Sequence, residues 1–181
     1  MTDTRVVVLV GSLRADSLNR KIAETLQAQA PEGVTFEIAE GLAQLPFYNE
    51  DLDGESVPAA AAALRAQVAG ADRVLAVTPE YNGTMPAVLN NAIDWLSRPY
   101  GQGAISGKPF AVIGATPTPY GGKWAHEDAR RSAGVAGAVV VDGIAVSQTT
   151  IDTDVLGDPQ VFGRLREALR ALVDHPLVDA A

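Results

Sequence analysis

Short apolar runs alternate with helical patterns along this chain, and the runs can only be buried. Arg5-Val6-Val7-Val8-Leu9-Val10, Arg73-Val74-Leu75-Ala76-Val77-Thr78 and Pro109-Phe110-Ala111-Val112-Ile113-Gly114-Ala115 are aliphatic with little polar alternation. Such strands belong in a sheet covered on both faces. Val34-Thr35-Phe36-Glu37-Ile38-Ala39 does alternate, as an edge strand does, and Ala138-Val139-Val140-Val141 is the fifth candidate. Between them Leu18, Ile22 and Leu26 form one helical stripe, and a second helix runs from near Pro58 to Gly70. A third, opened by Pro86, carries Leu89, Ile93 and Leu96; a fourth passes through Glu127, Arg130 and Arg131. The last starts near Asp158 and buries Phe162, Leu165, Leu169 and Leu172. This alternation predicts an α/β protein: a five-stranded parallel sheet with helices on both faces and right-handed crossovers. Ligands are then expected beyond the carboxyl ends of the strands. At 181 residues, the span 1–181 reads as a single domain.

The first such end carries Gly11-Ser12-Leu13-Arg14-Ala15-Asp16-Ser17-Leu18-Asn19-Arg20-Lys21. A strand–loop–helix turn aims backbone N–H groups and a helix N-terminus at one point, where phosphate is the natural occupant. Ser17 is a plausible N-cap. Arg20 and Lys21 fall in the first helical turn, where cations oppose the helix dipole by about 0.3–1 kcal/mol each. A bound anion reverses that sign; an ordinary capped helix with solvated charges is the plainer alternative. One glycine, Gly11, excludes the Gly-x-Gly-x-x-Gly dinucleotide fingerprint, and no Gly-Lys-Ser/Thr follows. Ser12, Arg14, Ser17 and Asn19 are therefore expected to carry more of the contact than bare backbone does, which suits a terminal monophosphate.

The net charge of −8 argues against a general nucleic-acid binder and makes this small cationic loop conspicuous. No cysteine occurs, which removes disulfides, thiol catalysis and thiolate metal sites, and the two histidines suggest no metal cluster. No signal-peptide pattern or membrane-length apolar stretch is visible, so the expectation is a cytoplasmic protein without membrane contact.

Two further loops follow strands. Thr78-Pro79-Glu80-Tyr81-Asn82-Gly83-Thr84-Met85-Pro86 combines two prolines, an Asn-Gly turn and an aromatic. Such a loop can present N–H groups to the edge of a flat heterocycle; a rigid connection whose tyrosine merely packs is the alternative. Ala115-Thr116-Pro117-Thr118-Pro119-Tyr120-Gly121-Gly122-Lys123-Trp124 repeats the chemistry. All three loops are expected to meet in one crevice. His126 and Glu127 read as solvated helix positions, and His175 as a helix end. Trp95, Trp124 and Tyr48 read as core or interface residues in preference to a substrate wall.

Gly-Ser-Leu-Arg followed by Ser-x-Asn, and then Thr-Pro-Glu-Tyr-Asn-Gly-x-x-Pro-x-x-Leu-x-Asn-x-Ile-Asp-Trp, resembles the NADPH-dependent FMN reductase family of quinone, azo-dye and chromate reductases. The resemblance runs from Val6 to about Gly134 and includes Leu45-Pro46-Phe47-Tyr48-Asn49-Glu50-Asp51-Leu52. It implies a flavodoxin-like three-layer sandwich with strand order 2-1-3-4-5, FMN as cofactor, NADPH or NADH as reductant and a small-molecule acceptor. It also implies a homodimer or tetramer. Residue by residue, Ser12, Arg14, Ser17, Leu18 and Asn19 would hold the FMN phosphate and ribityl chain. Pro79, Glu80, Tyr81, Asn82 and Gly83 would wrap the ring, largely through backbone atoms, and Thr116, Gly121 and Gly122 would complete the site. No catalytic side chain is implied, because the flavin performs the chemistry. The chain departs from the family at Pro117-Thr118-Pro119-Tyr120. Two other readings of the same loops remain: a flavodoxin-type electron carrier, and a flavin-free nucleotide-binding protein.

Overall fold

The computed structural model describes residues 3–144 and 146–177. Among these residues six strands, β1 (Thr4–Val10), β2 (Val34–Ile38), β3 (Arg73–Val77), β4 (Pro109–Thr116), β5 (Val139–Val140) and β6 (Val146–Thr149), form one parallel sheet. Among the described residues five α-helices accompany them: α1 (Leu18–Ala28), α2 (Ala59–Ala69), α3 (Ala87–Leu96), α4 (Lys123–Val135) and α5 (Pro159–Asp174). The strand order is β2-β1-β3-β4-β5, with β6 also on β4. This is the flavodoxin-like order expected.

Residue alternation sorts each strand to two cores. Val7, Leu9, Val74, Ala76, Phe110 and Val112 face α2, α3 and α4. Val6, Val8, Val10, Leu75, Val77 and Ile113 face α1 and α5. Ile22 and Leu26 of α1 are essentially inaccessible to solvent, and each such aliphatic side chain contributes about 1.5–3 kcal/mol by leaving water. Helix ends follow local chemistry: the Ser17 hydroxyl accepts from Arg20 N–H, and the Asp158 carboxylate accepts from Gln160 and Val161 N–H.

The sheet has one segment more than expected, and its fifth strand is shorter than the apolar run Ala138–Val141. Val139–Val140 pairs with Pro109–Phe110, the chain turns away, and Val146–Thr149 rejoins β4 at Ile113–Thr116. An eight-residue β4 is long enough to seat two short strands end to end. All four residues of β6 are half-buried, so they carry no apolar run to announce them. Thr116, expected in the third loop, is instead the last residue of β4 and pairs with Thr149.

Candidate functional site

The first loop leaves β1 through Gly11, whose N–H donates to Val77 O at 2.9 Å. From Ser12 to Asn19, eight consecutive backbone N–H groups have no acceptor among the described residues. They surround the N-terminus of α1, so what this loop could offer an anion is mainly backbone, not mainly the side chains expected from the sequence. Ser12 and Ser17 are buried in it, and Leu18 packs towards the core shared with α5. The cations divide. Arg20 binds Glu24 and Glu40, and Lys21 binds Asp16, whose carboxyl it holds below the usual range. Arg20 and Lys21 are therefore turned to acids rather than facing an empty dipole, which corrects the expectation drawn from the sequence. Arg14 is exposed and makes no ion pair among the described residues. Asn19 serves the site differently from its neighbours: its Nδ2 donates to Ala115 O and its Oδ1 accepts from Ala115 N, both at 2.9 Å. One N–H and one lone pair of its amide are taken in this way, and it ties the first loop to the end of β4.

The second loop is a miniature hairpin. Tyr81 and Thr84 exchange both backbone hydrogen bonds, and Asn82 and Gly83 take φ of 52° and 74°. That is the Asn-Gly turn with two left-handed residues. The N–H groups of Glu80, Asn82 and Gly83 have no acceptor among the described residues. Pro79 is buried, whereas Tyr81, Asn82 and Gly83 are exposed. The Glu80 carboxylate accepts from Trp124 N and Ala125 N at 3.0 and 3.2 Å. It thereby caps α4, whose own cap, Gly122, has no side chain to do so. Glu80→Ala is expected to remove about 1–2 kcal/mol of stability, read by urea unfolding; an unchanged midpoint would refute the capping role.

The third loop lies against β6. Gly121 has φ of 63° and its missing Cβ would stand 2.4 Å from Ser147 O; Gly122 has φ of 96° and faces the His126 ring. Thr118 Oγ1 is the one buried side-chain polar atom without a partner among the described residues. Tyr120 and Trp124 pack against each other with ring centres 4.6 Å apart and planes tilted by 44°, and both stay substantially exposed.

His126 overturns its sequence-based reading. It is fully buried, not solvated, and Nε2 lies 3.1 Å from the carbonyl oxygen of Thr78, the residue that opens the second loop. A carbonyl only accepts, so Nε2 carries the proton. Nδ1 is then an acceptor for the Ser147 hydroxyl at 2.7 Å. Burial pushes its pKa down to about 4, against the pull of the Thr78 bond and with help from Arg130. Glu127 is exposed, as expected.

Residues 45–53 are pinned chiefly by α3. Pro46 O accepts from Asn91 Nδ2 and Trp95 Nε1, and Tyr48 N donates to Asn91 Oδ1. Trp95 is core, with Tyr48 edge-on at 5.0 Å. Arg65 grips Asp53 with both terminal nitrogens and donates from Nε to Trp95 O. The Asn and Trp of Leu-x-Asn-x-Ile-Asp-Trp thus fasten the loop after β2. Their spacing of four residues on one helix face was the available signal.

The three loops meet at the carboxyl ends of β1, β3 and β4. Two open spaces flank that junction. One of about 310 Å³ lies beside the first loop, lined by Ser12, Arg14 and Glu40 among others. The other, about 1050 Å³, is a groove between α3 and α4 reached from Tyr81 and Asn82. Asp94 in that groove has its carboxyl raised by burial, with Arg98 opposing. Among the described residues no helix is long and apolar enough to cross a membrane.

Comparison with known proteins agrees with this geometry. The family model described as NADPH-dependent FMN reductase matches residues 4–151. A quinone reductase of Pseudomonas putida is 47% identical over 127 residues, 70% of this chain and 68% of that protein. A 2-hydroxy-1,4-benzoquinone reductase of Burkholderia is 46% identical over 112 residues, 62% of this chain and 60% of that one. Among solved structures, the flavoenzyme NAD(P)H:(acceptor) oxidoreductase FerB from Paracoccus denitrificans superposes with a TM-score of 0.84 at 35% identity. The superposition covers 94% of this chain and 96% of FerB.

Proposed function

The chain belongs to the NADPH-dependent FMN reductase family, and on that premise we propose that it reduces a quinone or similar small acceptor by a ping-pong sequence. The observation that carries the phosphate end is the run of unpartnered N–H groups from Ser12 to Asn19 around a helix start, with Arg14 left without an acid. Charge-assisted bonds from this cradle suit a terminal phosphate. The free N–H groups of Glu80, Asn82 and Gly83, the close-packed Gly121 and Gly122, and the orphaned Thr118 hydroxyl fit the edge of a flat polar ring. FMN would be the group held, and when bound it supplies hydride acceptance from NAD(P)H and electron transfer to the acceptor.

The residues of the chain have four tasks. Ser12, Ser17, Leu18 and Arg14 bind the phosphate end, and Asn19 holds their loop to β4 through Ala115. Pro79 and the Asn82-Gly83 turn keep the second loop rigid, so its N–H groups need no reorganisation as negative charge develops beside them. Glu80 fixes α4 and with it Gly122. Thr116 closes β4 beside Gly122.

Arg14→Ala is expected to weaken FMN binding by about 1.5–3 kcal/mol at fixed salt, measured by flavin fluorescence. An unchanged dissociation constant would remove Arg14 from the site. The reading as a whole is tested by adding NADPH anaerobically to the FMN-loaded protein. Rapid loss of visible absorption supports a reductase; protein that takes up FMN yet stays yellow points to a carrier. We further propose a homodimer that covers the α3–α4 groove, whose rim exposes Tyr100 and Val135 at 88% and 81%. A mass of 18.9 kDa by light scattering with FMN present would overturn the dimer.

A further inference from the structure

The buried ring of His126 joins three segments that the sequence keeps far apart. Through Nε2 it bonds the carbonyl of Thr78, where the second loop begins. Through Nδ1 it accepts from Ser147 of β6, the strand against which Gly121 is packed. Its ring also stands against Gly122, where a Cβ would come within 3.3 Å of Nε2. Thr78 is equally confined from its other side. A Cβ on Gly114 would meet its carbonyl oxygen at 2.0 Å, and one on Gly11 would meet its Oγ1 at 2.0 Å. The Thr78 carbonyl is therefore a fixed point, and His126 is the strut that sets the third loop against it.

We propose that His126 is a positioning residue: it fixes the separation of the second and third loops and so the slot in which the flavin ring is held. The inference rests on the flavin-site reading above. The ring touches no part of the space a ligand could enter, being fully buried, so it acts through the loops alone. Losing the Nε2 donor leaves the Thr78 carbonyl buried and unpaired; with Thr78 itself confined, the second loop beyond it shifts relative to the third so that water reaches the carbonyl. The N–H groups of Glu80, Asn82 and Gly83 move with it. These groups interact more strongly with the ring when it carries negative charge, so their displacement penalises the reduced form more than the oxidised one.

The test compares His126→Leu, His126→Gln and Ser147→Ala with the parent protein by FMN dissociation constant and by midpoint potential of the bound flavin. Glutamine keeps an N–H donor for Thr78 and an oxygen acceptor for Ser147; leucine keeps neither. His126→Leu is expected to bind FMN at least tenfold more weakly, with a further tenfold bias against the reduced form, a fall of about 30 mV for a two-electron couple. His126→Gln is expected within twofold of the parent in affinity and unchanged in potential. A purely structural histidine would lower the unfolding midpoint yet leave the potential of the folded fraction where it was. A folded His126→Leu with parental affinity and potential overturns the proposal, as does a His126→Gln that loses as much as leucine does. Where leucine prevents folding, Ser147→Ala decides: it frees Nδ1, and at least a threefold rise in dissociation constant with a lowered potential supports the strut, whereas parental values overturn it. Parent protein that takes up no FMN overturns both this inference and the flavin site; parent binding with indifferent variants overturns this inference alone.

Discussion

Gly114→Ala is expected to destabilise the fold by more than about 3 kcal/mol, beyond the usual range for one added methyl in a packed core. The new Cβ would lie 2.0 Å from Thr78 O and 2.8 Å from Asn19 Oδ1. Neither can retreat. Thr78 O belongs to backbone whose N–H donates to Ile113 O, and the Asn19 amide makes two bonds to Ala115. Relief requires β3 and β4 to part at the end where the loops meet, which also breaks the Thr78–His126 bond. Against a total stability of about 5–15 kcal/mol for a domain, that loss should show as low soluble yield and a large drop in unfolding midpoint. Gly163→Ala is the matched control. It lies inside α5 with nothing within 4 Å of the added Cβ, so alanine should stabilise by about 1 kcal/mol. A Gly114→Ala protein as stable as the parent would show that the strands approach less closely than described.

Stability should also fall by about 3 kcal/mol between pH 6.5 and pH 4, with His126 as the cause. In the folded protein burial holds its pKa at about 4, whereas the unfolded chain takes up the proton near the ordinary 6.5. Above pH 6.5 both states are neutral and the full stability is present. As the pH falls through this window the unfolded state binds a proton that the folded state refuses, so unfolding becomes easier; below about 4 both are protonated and the loss levels off. At pH 5 the decrement should be about 2 kcal/mol relative to pH 7.5 by urea unfolding. His126→Gln should flatten this part of the profile. The Asp53 carboxyl, held below its usual range chiefly by the Arg65 hydrogen bonds, loses its contribution only at still lower pH, so the two effects separate. A parent profile flat from pH 7.5 to 5 would mean the ring is protonated or hydrated in the folded state.

Much of the architecture was legible because it rests on interactions close in sequence. Val6 to Val10 can only be buried on both faces, Ser17 caps α1 with an oxygen three residues from the N–H it accepts, and Asn82-Gly83 encodes its turn in two residues. The flavodoxin-like order was legible from the motifs that carry the family resemblance, and the three expected loops do meet at one end of the sheet. Other features escaped for a common reason. β6 has no apolar run, because its residues are half-exposed and held by backbone bonds to β4. The pairing of Arg20 with Glu40 and of Lys21 with Asp16 depends on which rotamers reach which acids. Asn91 and Trp95 show a helical face in the sequence but not the Pro46 carbonyl that they hold.

Periodicity, caps and turns of this chain are local, and the sequence by itself determined them: alternating strand and helix, a first loop ending in a Ser-capped helix, and two stiff loops at strand ends. Only the tertiary structure decided what the side chains of those loops do. Asn19 meets Ala115 across 96 residues, Glu80 caps a helix 44 residues away, and His126 joins Thr78 to Ser147. Most buried polar atoms find a partner, and which partner is nearest is settled by how the strands stack, not by what lies beside it in the chain.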